Sequence, residues 1–170
     1  MIRSLNGKTP HIHPTAFVSE FAYVIGDVQI GEHSSIWPGT VIRGDSGKIV
    51  IGKNTNIQDN SVIHSDANAS IGDNVTIGHR VICHARTIAN TVLLGNGCVL
   101  NDGVEVGEES IVASGAVILE RMKFEPRSLI VGAPGKFKAH IKDRHLSMIR
   151  SVGEHYVQKC SDYKKSGDLE

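Results

Sequence analysis

The sequence predicts an all-β solenoid, a stack of short parallel strands wound round a narrow core, followed by one α-helix. Two observations lead to this fold class. Of the 170 residues, isoleucine and valine together number 36, while aromatic residues make up only 5%. Side chains branched at the β-carbon must therefore fill the interior, and these favour strands. Aliphatic residues also recur every six positions, a period that fits neither an α-helix nor the two-residue alternation of a long strand.

The repeat runs from residue 11 to about residue 120, with a small or β-branched residue usually four positions after each aliphatic one. Three short strands per coil, each with one inward aliphatic side chain, account for this spacing. The eighteen repeats then predict about six triangular coils. Their inward positions are Ile12, Val18, Val24, Ile30, Ile36, Ile42, Ile51, Ile57, Ile63, Ile71, Ile77, Cys83, Ile88, Leu94, Leu100, Val106, Val112 and Ile118.

Residues 1–135 are assigned to this solenoid, with a short lead-in at the start and an irregular loop at 122–134, where proline and glycine interrupt the pattern. From residue 136 to 165, apolar side chains recur at steps of three or four, which predicts an amphipathic helix packed on the side of the solenoid. Its stripe contains Ile141, Ile149, Val152 and Tyr156. Residues 164–170 are predicted to form a frayed tail.

The charges exclude some partners. Lysine plus arginine and aspartate plus glutamate balance at 18 each, so neither nucleic acid nor an anionic membrane is expected to bind. The N-terminal residues lack the apolar core of a signal peptide and no apolar run could span a membrane, which predicts a cytoplasmic protein. The three cysteines form no CxxC pair, which argues against a disulfide framework and a cysteine-ligated zinc ion.

The repeat breaks step in three places, and such irregularities are where functional loops are expected. The steps from 42 to 51 and from 63 to 71 are long, and the step from 83 to 88 is short. Counting repeats in threes places Ile42, Ile63, Cys83 and Leu100 on one face. The residues that follow them should therefore stack in a column, which contains Arg43, His64, His84 and Asn101.

His64 and His84 are then one coil apart, about 4.8 Å along the stack, so both imidazoles can reach one metal ion at about 2.0 to 2.1 Å. Asp59 and His79 each lie two positions after an inward residue of the neighbouring face, at a different corner. His79 therefore cannot easily join His64 and His84 of its own chain. It could join those of a neighbouring chain if three solenoids pack around a threefold axis.

The repeat resembles the left-handed parallel β-helix of the hexapeptide-repeat proteins. Within that class, several short motifs are similar to those of the γ-class carbonic anhydrases and their carbonic-anhydrase-like relatives, and the similarity covers nearly the entire chain. The motifs are Arg43-Gly44-Asp45, Gln58-Asp59, His64, Gly78-His79, His84, Gly132-Ala133-Pro134 and the helix tyrosine Tyr156.

The resemblance implies a homotrimer in which His64 and His84 of one subunit and His79 of the next bind Zn²⁺, with Fe²⁺ or Co²⁺ as alternatives. Three imidazoles leave a coordination position for water, whose pKa such an ion lowers to about 7, so that hydroxide can attack carbon dioxide and give bicarbonate.

The resemblance also implies roles for other residues. Gln58 would hydrogen-bond the hydroxide or bicarbonate, and Asp59 would orient the same network. Arg43 and Asp45 would form an ion pair at the subunit interface and Tyr156 would line the site, although each of the three also fits a purely structural role.

The family prototype carries a glutamate in a longer acidic loop to pass protons to solvent, but here residues 65–70 hold no glutamate. Asp66 or a buffer molecule is then the alternative proton carrier. Two other functions fit the same scaffold. One is a hexapeptide-repeat acyltransferase or acyl-CoA thioesterase, because fold alone does not determine chemistry. The other is a metal-binding trimer with little turnover.

Overall fold

The computed structural model describes residues 1–166 as a parallel β-solenoid of about seven turns followed by one α-helix, which confirms the predicted fold class. The chain visits three faces in each coil, here called A, B and C in chain order. Face A holds the strands β3 (Phe17–Val18), β5 (Ser35–Ile36), β7 (Asn56–Ile57), β10 (Thr76–Ile77), β13 (Leu93–Leu94), β16 (Ile111–Val112), β19 (Ser128–Val131) and β20 (Lys136–His140).

Faces B and C belong to one sheet because two long strands, β4 (Tyr23–Ile30) and β6 (Val41–Ile51), continue from one face to the other. The other strands of face B are β1 (Ile2–Arg3), β8 (Val62–His64), β11 (Ile82–Cys83), β14 (Val99–Leu100) and β17 (Val117–Ile118). The other strands of face C are β2 (His11–Ile12), β9 (Ala69–Ile71), β12 (Thr87–Ile88), β15 (Glu105–Val106) and β18 (Lys123–Phe124).

The inward residue of each short strand fills the core. The predicted positions from Val24 to Ile118 are buried, and Ile12 and Val18 are partly buried. The small residues at the corners are also inside, where hydroxyls bridge successive coils: Ser34 Oγ donates to the Gly52 carbonyl at 2.7 Å and Ser61 Oγ to the Gly78 carbonyl at 2.9 Å. Every buried side-chain nitrogen or oxygen in the described part of the chain has a partner, as a narrow core requires.

The solenoid has about seven turns, one more than the approximate count of six from the sequence, and the additional coil lies in the segment 122–134 that was expected to be an irregular loop. Lys123–Phe124 pairs in parallel with β15, and Ser128–Val131 pairs in parallel with β16. Phe124 and Ile130 continue the six-residue step from Ile118 and are buried. This coil is difficult to recognise in the sequence because its inward position at Phe124 is aromatic and Pro126 follows closely.

The predicted helical segment starts too early. Lys136–His140 forms β20, which runs antiparallel to β19, because the last parallel strand leaves backbone groups that need partners. The helix α1 (Asp143–Lys165) begins after Lys142, with Asp143 in its first turn and Lys164 and Lys165 in its last, charges that suit the helix dipole. The predicted tail is thus helical at its first two residues, and residues 167–170 lie outside the described part.

Helix α1 packs on face A, against β3, β5, β7 and β10. Ile149, Gly153 and Cys160 are its buried residues. Near its end, Lys164 Nζ donates to the carbonyls of Pro14 at 2.7 Å and Ala16 at 2.9 Å. Face A is therefore covered, whereas faces B and C are not covered by the helix. Within residues 1–166, no helix has both the length and the apolar character needed to cross a membrane.

Candidate metal centre

The corner between faces B and C carries the column of polar residues. Arg43 lies opposite His64 in the pairing of β6 with β8, and Ile63 lies opposite Cys83 in the pairing of β8 with β11. Because His64 and His84 each follow an inward residue of the same column, the coils bring them together across twenty positions of sequence. The register is the one that the count of six predicts.

The two imidazoles face each other edge to face, with ring centroids 5.0 Å apart. Nδ1 of His64 lies 3.1 Å from Nε2 of His84. Two nitrogens at this separation can both contact one ion at metal–nitrogen distances of about 2.0 to 2.1 Å. The side chains are 15% and 25% exposed, so an ion from solvent can reach them. The pair therefore fits a divalent metal that prefers imidazole.

A carboxylate lies near the opposite nitrogen of each ring. Oδ1 of Asp45 is 2.8 Å from Nε2 of His64, and Oδ1 of Asp102 is 3.6 Å from Nδ1 of His84. Metal-binding histidines commonly donate their second N–H to a carboxylate, which fixes the ring orientation. Asp45 makes this contact directly, and Asp102 lies slightly beyond hydrogen-bonding distance. Sequence reasoning missed Asp102, although it comes directly after Asn101 of the predicted column.

Asp45 is itself held by Arg43, which forms an ion pair with it in the same chain. Partial burial favours a higher pKa for Asp45, but the hydrogen bond from His64 and the charge of Arg43 outweigh it, so that the pKa falls below its usual value. Asp45 is therefore an anion that can accept from the imidazole. An interface role for the Arg43–Asp45 pair stays a prediction.

Asp66 also comes close to the two histidines. One carboxylate oxygen of Asp66, one nitrogen of His64 and one nitrogen of His84 lie within 4.8 Å of one another. Oδ1 of Asp66 is 3.9 Å from Nε2 of His84, and its side chain is 74% exposed. The sequence suggested Asp66 only as a proton carrier, but its carboxylate is also close enough to both imidazoles to belong to a group that could hold a metal ion.

His79 lies at a different corner, between faces A and B. Its strand β10 pairs with β7, and His79 Nδ1 is 3.0 Å from Asp59 Oδ2, with the imidazole 47% exposed. Among the described residues, the cluster that could hold a metal contains His64, Asp66 and His84 but not His79. One chain therefore brings together two of the three predicted histidine ligands and leaves the third facing outward.

Gln58 and Tyr156 lie on the His79 side of the molecule. Gln58 is buried, and its Nε2 donates to Asn56 Oδ1 at 3.0 Å. Tyr156 of the helix packs against Trp37, with ring centroids 5.5 Å apart. Burial and the negative charge of Asp59 raise the pKa of Tyr156, so its hydroxyl stays protonated at neutral pH. The predicted site residues thus fall into two groups at the two edges of face B.

Comparisons with known proteins match both the repeat and the whole chain. Residues 9–44 match the family described as bacterial transferase hexapeptide (six repeats). A protein named carbonic anhydrase from Geobacillus kaustophilus is 38% identical over 166 residues, which span 96% of this chain and 91% of that protein. Gamma carbonic anhydrase 2, mitochondrial, from Arabidopsis thaliana is 38% identical over 158 residues, covering 88% of this chain and 57% of the plant protein.

A solved structure has nearly the same backbone. The crystal structure of a hexapeptide transferase family protein from Anaplasma phagocytophilum superposes with a TM-score of 0.92 at 36% identity, covering 95% of this chain and 97% of that one. The sequence and structure comparisons thus agree on the fold, but the similar sequences are named carbonic anhydrases and the similar structure is named a transferase.

Proposed function

The chain belongs to the γ-class carbonic anhydrase and carbonic-anhydrase-like family of hexapeptide-repeat proteins, and from this premise we propose that it is a metal-dependent lyase. It catalyses the reversible hydration of carbon dioxide to bicarbonate, with zinc, iron or cobalt at sites shared between the chains of a homotrimer. The cytoplasmic location predicted from the sequence is part of the same proposal.

The observation that carries the proposal is the His64–His84 pair. Two imidazole nitrogens lie 3.1 Å apart, and the nitrogen on the far side of His64 is 2.8 Å from Asp45. Two histidines that bind no metal do not require a carboxylate at the ring nitrogen that points away from the pair. In a metal-binding pair, such a carboxylate accepts a hydrogen bond from that nitrogen and so holds the other ring nitrogen toward the ion.

Face B supports the trimer. The outward residues of this face are apolar in every coil from Tyr23 to Val117, and they stack in register as Tyr23, Val41, Val62, Ile82, Val99 and Val117. The matching column of face C is mostly polar and contains Gln29, Val50, Ser70, Thr87, Glu105 and Lys123. An apolar column on an uncovered face is typical of a surface that packs against another chain.

The positions of the two site groups fit a ring of three chains. His79 lies at one edge of face B, and His64 and His84 lie at the other. In a cyclic trimer each chain presents one edge to one neighbour and the other edge to the next neighbour. Three equivalent sites would then form, each with two histidines from one chain and His79 from another.

A divalent metal ion held at such a site would supply the Lewis acidity that lowers the pKa of water toward neutrality. The chain supplies positioning. Asp45 orients His64 and Asp59 holds the His79 ring at 3.0 Å, while Gln58 would donate a hydrogen bond to an oxygen of bicarbonate. Tyr156, kept neutral by burial, is a hydrogen-bond donor at the same edge.

The alternative function is acyl transfer or thioester hydrolysis, and the name of the Anaplasma structure, a hexapeptide transferase family protein, agrees with a transferase. Acyl transfer needs one histidine as a general base, and such a base does not require a second imidazole 3.1 Å away. The paired histidines therefore favour the lyase over the transferase. A trimer that binds metal with little turnover is the remaining alternative.

The test is stopped-flow carbon dioxide hydration by protein of known metal content, together with the variants His64→Ala and His79→Ala. We expect each variant alone to lose most of the activity. Mixing the two unfolded variants and refolding them together should restore up to about one quarter of the sites, because an intact site needs one edge from each chain.

Two results would overturn the proposal. If mixed trimers recover no activity while the trimer and the wild-type activity are both present, the site is not shared between chains. If wild-type protein loaded with zinc or iron does not hydrate carbon dioxide but hydrolyses acyl-CoA, the protein is a thioesterase and not a lyase.

A further inference from the structure

We infer that Asp66 is a metal ligand, so that each chain carries a three-donor site of its own made by His64, Asp66 and His84. The inference rests on the proposed metal centre and adds a ligand that the resemblance does not imply. It also names the class of metal that the site prefers.

The first argument is the side from which each carboxylate approaches the histidines. Asp45 and Asp102 lie near His64 Nε2 and His84 Nδ1, the two ring nitrogens that point away from the pair. Asp66 lies near His84 Nε2, at 3.9 Å, and this nitrogen is the one that faces His64. Two carboxylates are therefore placed to orient the rings, and the third is placed on the side where an ion would bind.

The second argument is how the chain brings Asp66 there. The step from Ile63 to Ile71 takes eight residues instead of six, so the corner after His64 has additional chain. Ser65 is buried, and its hydroxyl accepts from the Ala67 amide at 3.4 Å. The next strand resumes in register, with Ala69 opposite Ile49. The extra residues leave the coil stack intact and form a loop that carries Asp66.

The third argument is that nothing else holds the Asp66 carboxylate. Within residues 1–166 it forms no hydrogen bond, and its ion-pair contact is with His84 alone. No lysine or arginine of the described chain neutralises it. The Asp66 carboxylate is therefore free to turn toward a cation bound between the two histidines.

Two histidines and one carboxylate form a donor set found in non-haem Fe²⁺ sites and also in catalytic zinc sites, where three protein ligands and one water complete a tetrahedron. With His79 of a neighbouring chain added, four protein donors leave room for water only if the ion accepts more than four ligands. The site should therefore favour ions that readily take five or six ligands, such as Fe²⁺ and Co²⁺, over Zn²⁺.

Cobalt is the probe for the test, because its visible d–d absorption is intense with four ligands and weak with six. Asp66→Ala should lower the Co²⁺ affinity at least about tenfold, since removing even a group that is only hydrogen-bonded to a metal ligand lowers metal affinity by that factor. The same substitution should make the visible bands stronger. Asp27→Ala, which removes a partly buried carboxylate paired with Lys8, is the control and should change neither quantity.

A second comparison separates the contributions of the two chains. His79→Ala should retain Co²⁺ at reduced affinity, and His79→Ala combined with Asp66→Ala should lose it. Because Asp66 is 74% exposed, its removal should leave the circular dichroism spectrum and the oligomeric state unchanged.

Unchanged Co²⁺ affinity and spectrum in Asp66→Ala, with binding lost in His64→Ala, would overturn the role of Asp66 and leave the metal centre standing. Undiminished Co²⁺ binding in His64→Ala and His84→Ala would overturn the metal centre itself. The two failures are therefore distinguishable, and neither readout depends on catalytic activity.

Discussion

Nδ1 of His64 and Nε2 of His84 lie 3.1 Å apart although twenty residues separate them along the chain. One complete coil of the solenoid accounts for this separation in sequence, since Ile63 and Cys83 occupy the same register position in neighbouring strands. Backbone pairing therefore fixes the distance between the two ring positions. No mobile loop is needed to bring these two imidazoles together.

The carboxylate behind His64 is expected to matter for metal binding. Asp45→Asn keeps the shape of the side chain but removes the negative charge that faces His64 Nε2 at 2.8 Å. We expect the affinity for a divalent metal to fall by roughly 10- to 100-fold. Competition with a chelator of known affinity measures this change.

Asp27→Asn is the control for that experiment, because Asp27 pairs with Lys8 rather than with a histidine. It should leave the metal affinity unchanged. An Asp45→Asn protein that binds metal as tightly as wild type would show that Asp45 does not orient His64.

Assembly should depend on the apolar column of face B. Ile82 is 49% exposed in the single chain, and Ile82→Lys would place a charge in the proposed interface, where no partner neutralises it. We expect a folded monomer, with a molar mass by light scattering about one third of the wild-type value. Thr87→Lys, on the polar column of face C, should remain a trimer. An Ile82→Lys protein of wild-type mass would place the interface elsewhere.

Gly26 is required by a close approach between β4 and β6. Its φ is +84°, and an added Cβ would overlap the carbonyl oxygen of Gly44. Gly26→Ala should therefore lower the free energy of unfolding by roughly 2 to 4 kcal/mol, measured by denaturant titration.

Gly7→Ala provides the comparison. Gly7 has a φ of +77°, but an added Cβ would meet nothing within 4 Å. This variant bears only the cost of the left-handed backbone, about 1 kcal/mol. Equal losses of stability in the two variants would mean that the contact with Gly44 relaxes at no cost.

The thiol of Cys98 should be inert in the folded protein. Burial, together with the nearby Cys83 thiol, raises the pKa of Cys98 to about 12. The thiolate is the reactive form, so iodoacetamide at pH 8 should modify Cys98 only after denaturation, as mass spectrometry of the peptides can show.

The direction of the pH effect follows from the same shift. Since the folded pKa lies above the ordinary value of 9.0, the thiol contributes no loss of stability below pH 9. The free energy of unfolding should then fall as the pH rises from 9 toward 12. Rapid modification of Cys98 in native protein at pH 8 would contradict the burial described above.

Much of the fold was predictable because the solenoid is determined locally. Each inward side chain is specified by a count of six, and the count also sets which residues stack, so Arg43 opposite His64 followed from spacing alone. The last coil was not predictable in the same way. Phe124 keeps the period but is aromatic, and Lys136–His140 becomes a strand only because β19 lies beside it.

The positions of the three proposed ligands followed from the sequence, whereas the side chains around them did not. His64, His79 and His84 sit at positions that the repeat defines. Asp66 lies among the extra residues of a long corner, and Asp102 lies at a corner where the six-residue period does not determine the direction of the side chain. The distance of each carboxylate from the histidines therefore depends on the conformation of its loop. The contact between Tyr156 and Trp37 requires knowing where the helix crosses face A.

The antiparallel strand β20 has a consequence for how long the stack can grow. A parallel coil that ended at β19 would offer its free edge to the first coil of another molecule, and repeated addition would give a fibre. β20 covers that edge on face A by running in the opposite direction. Its own outer edge carries Lys136 and Lys138, both exposed, and charged side chains at an edge discourage further strand addition. The strand thus leaves face A without a free parallel edge at this end of the solenoid.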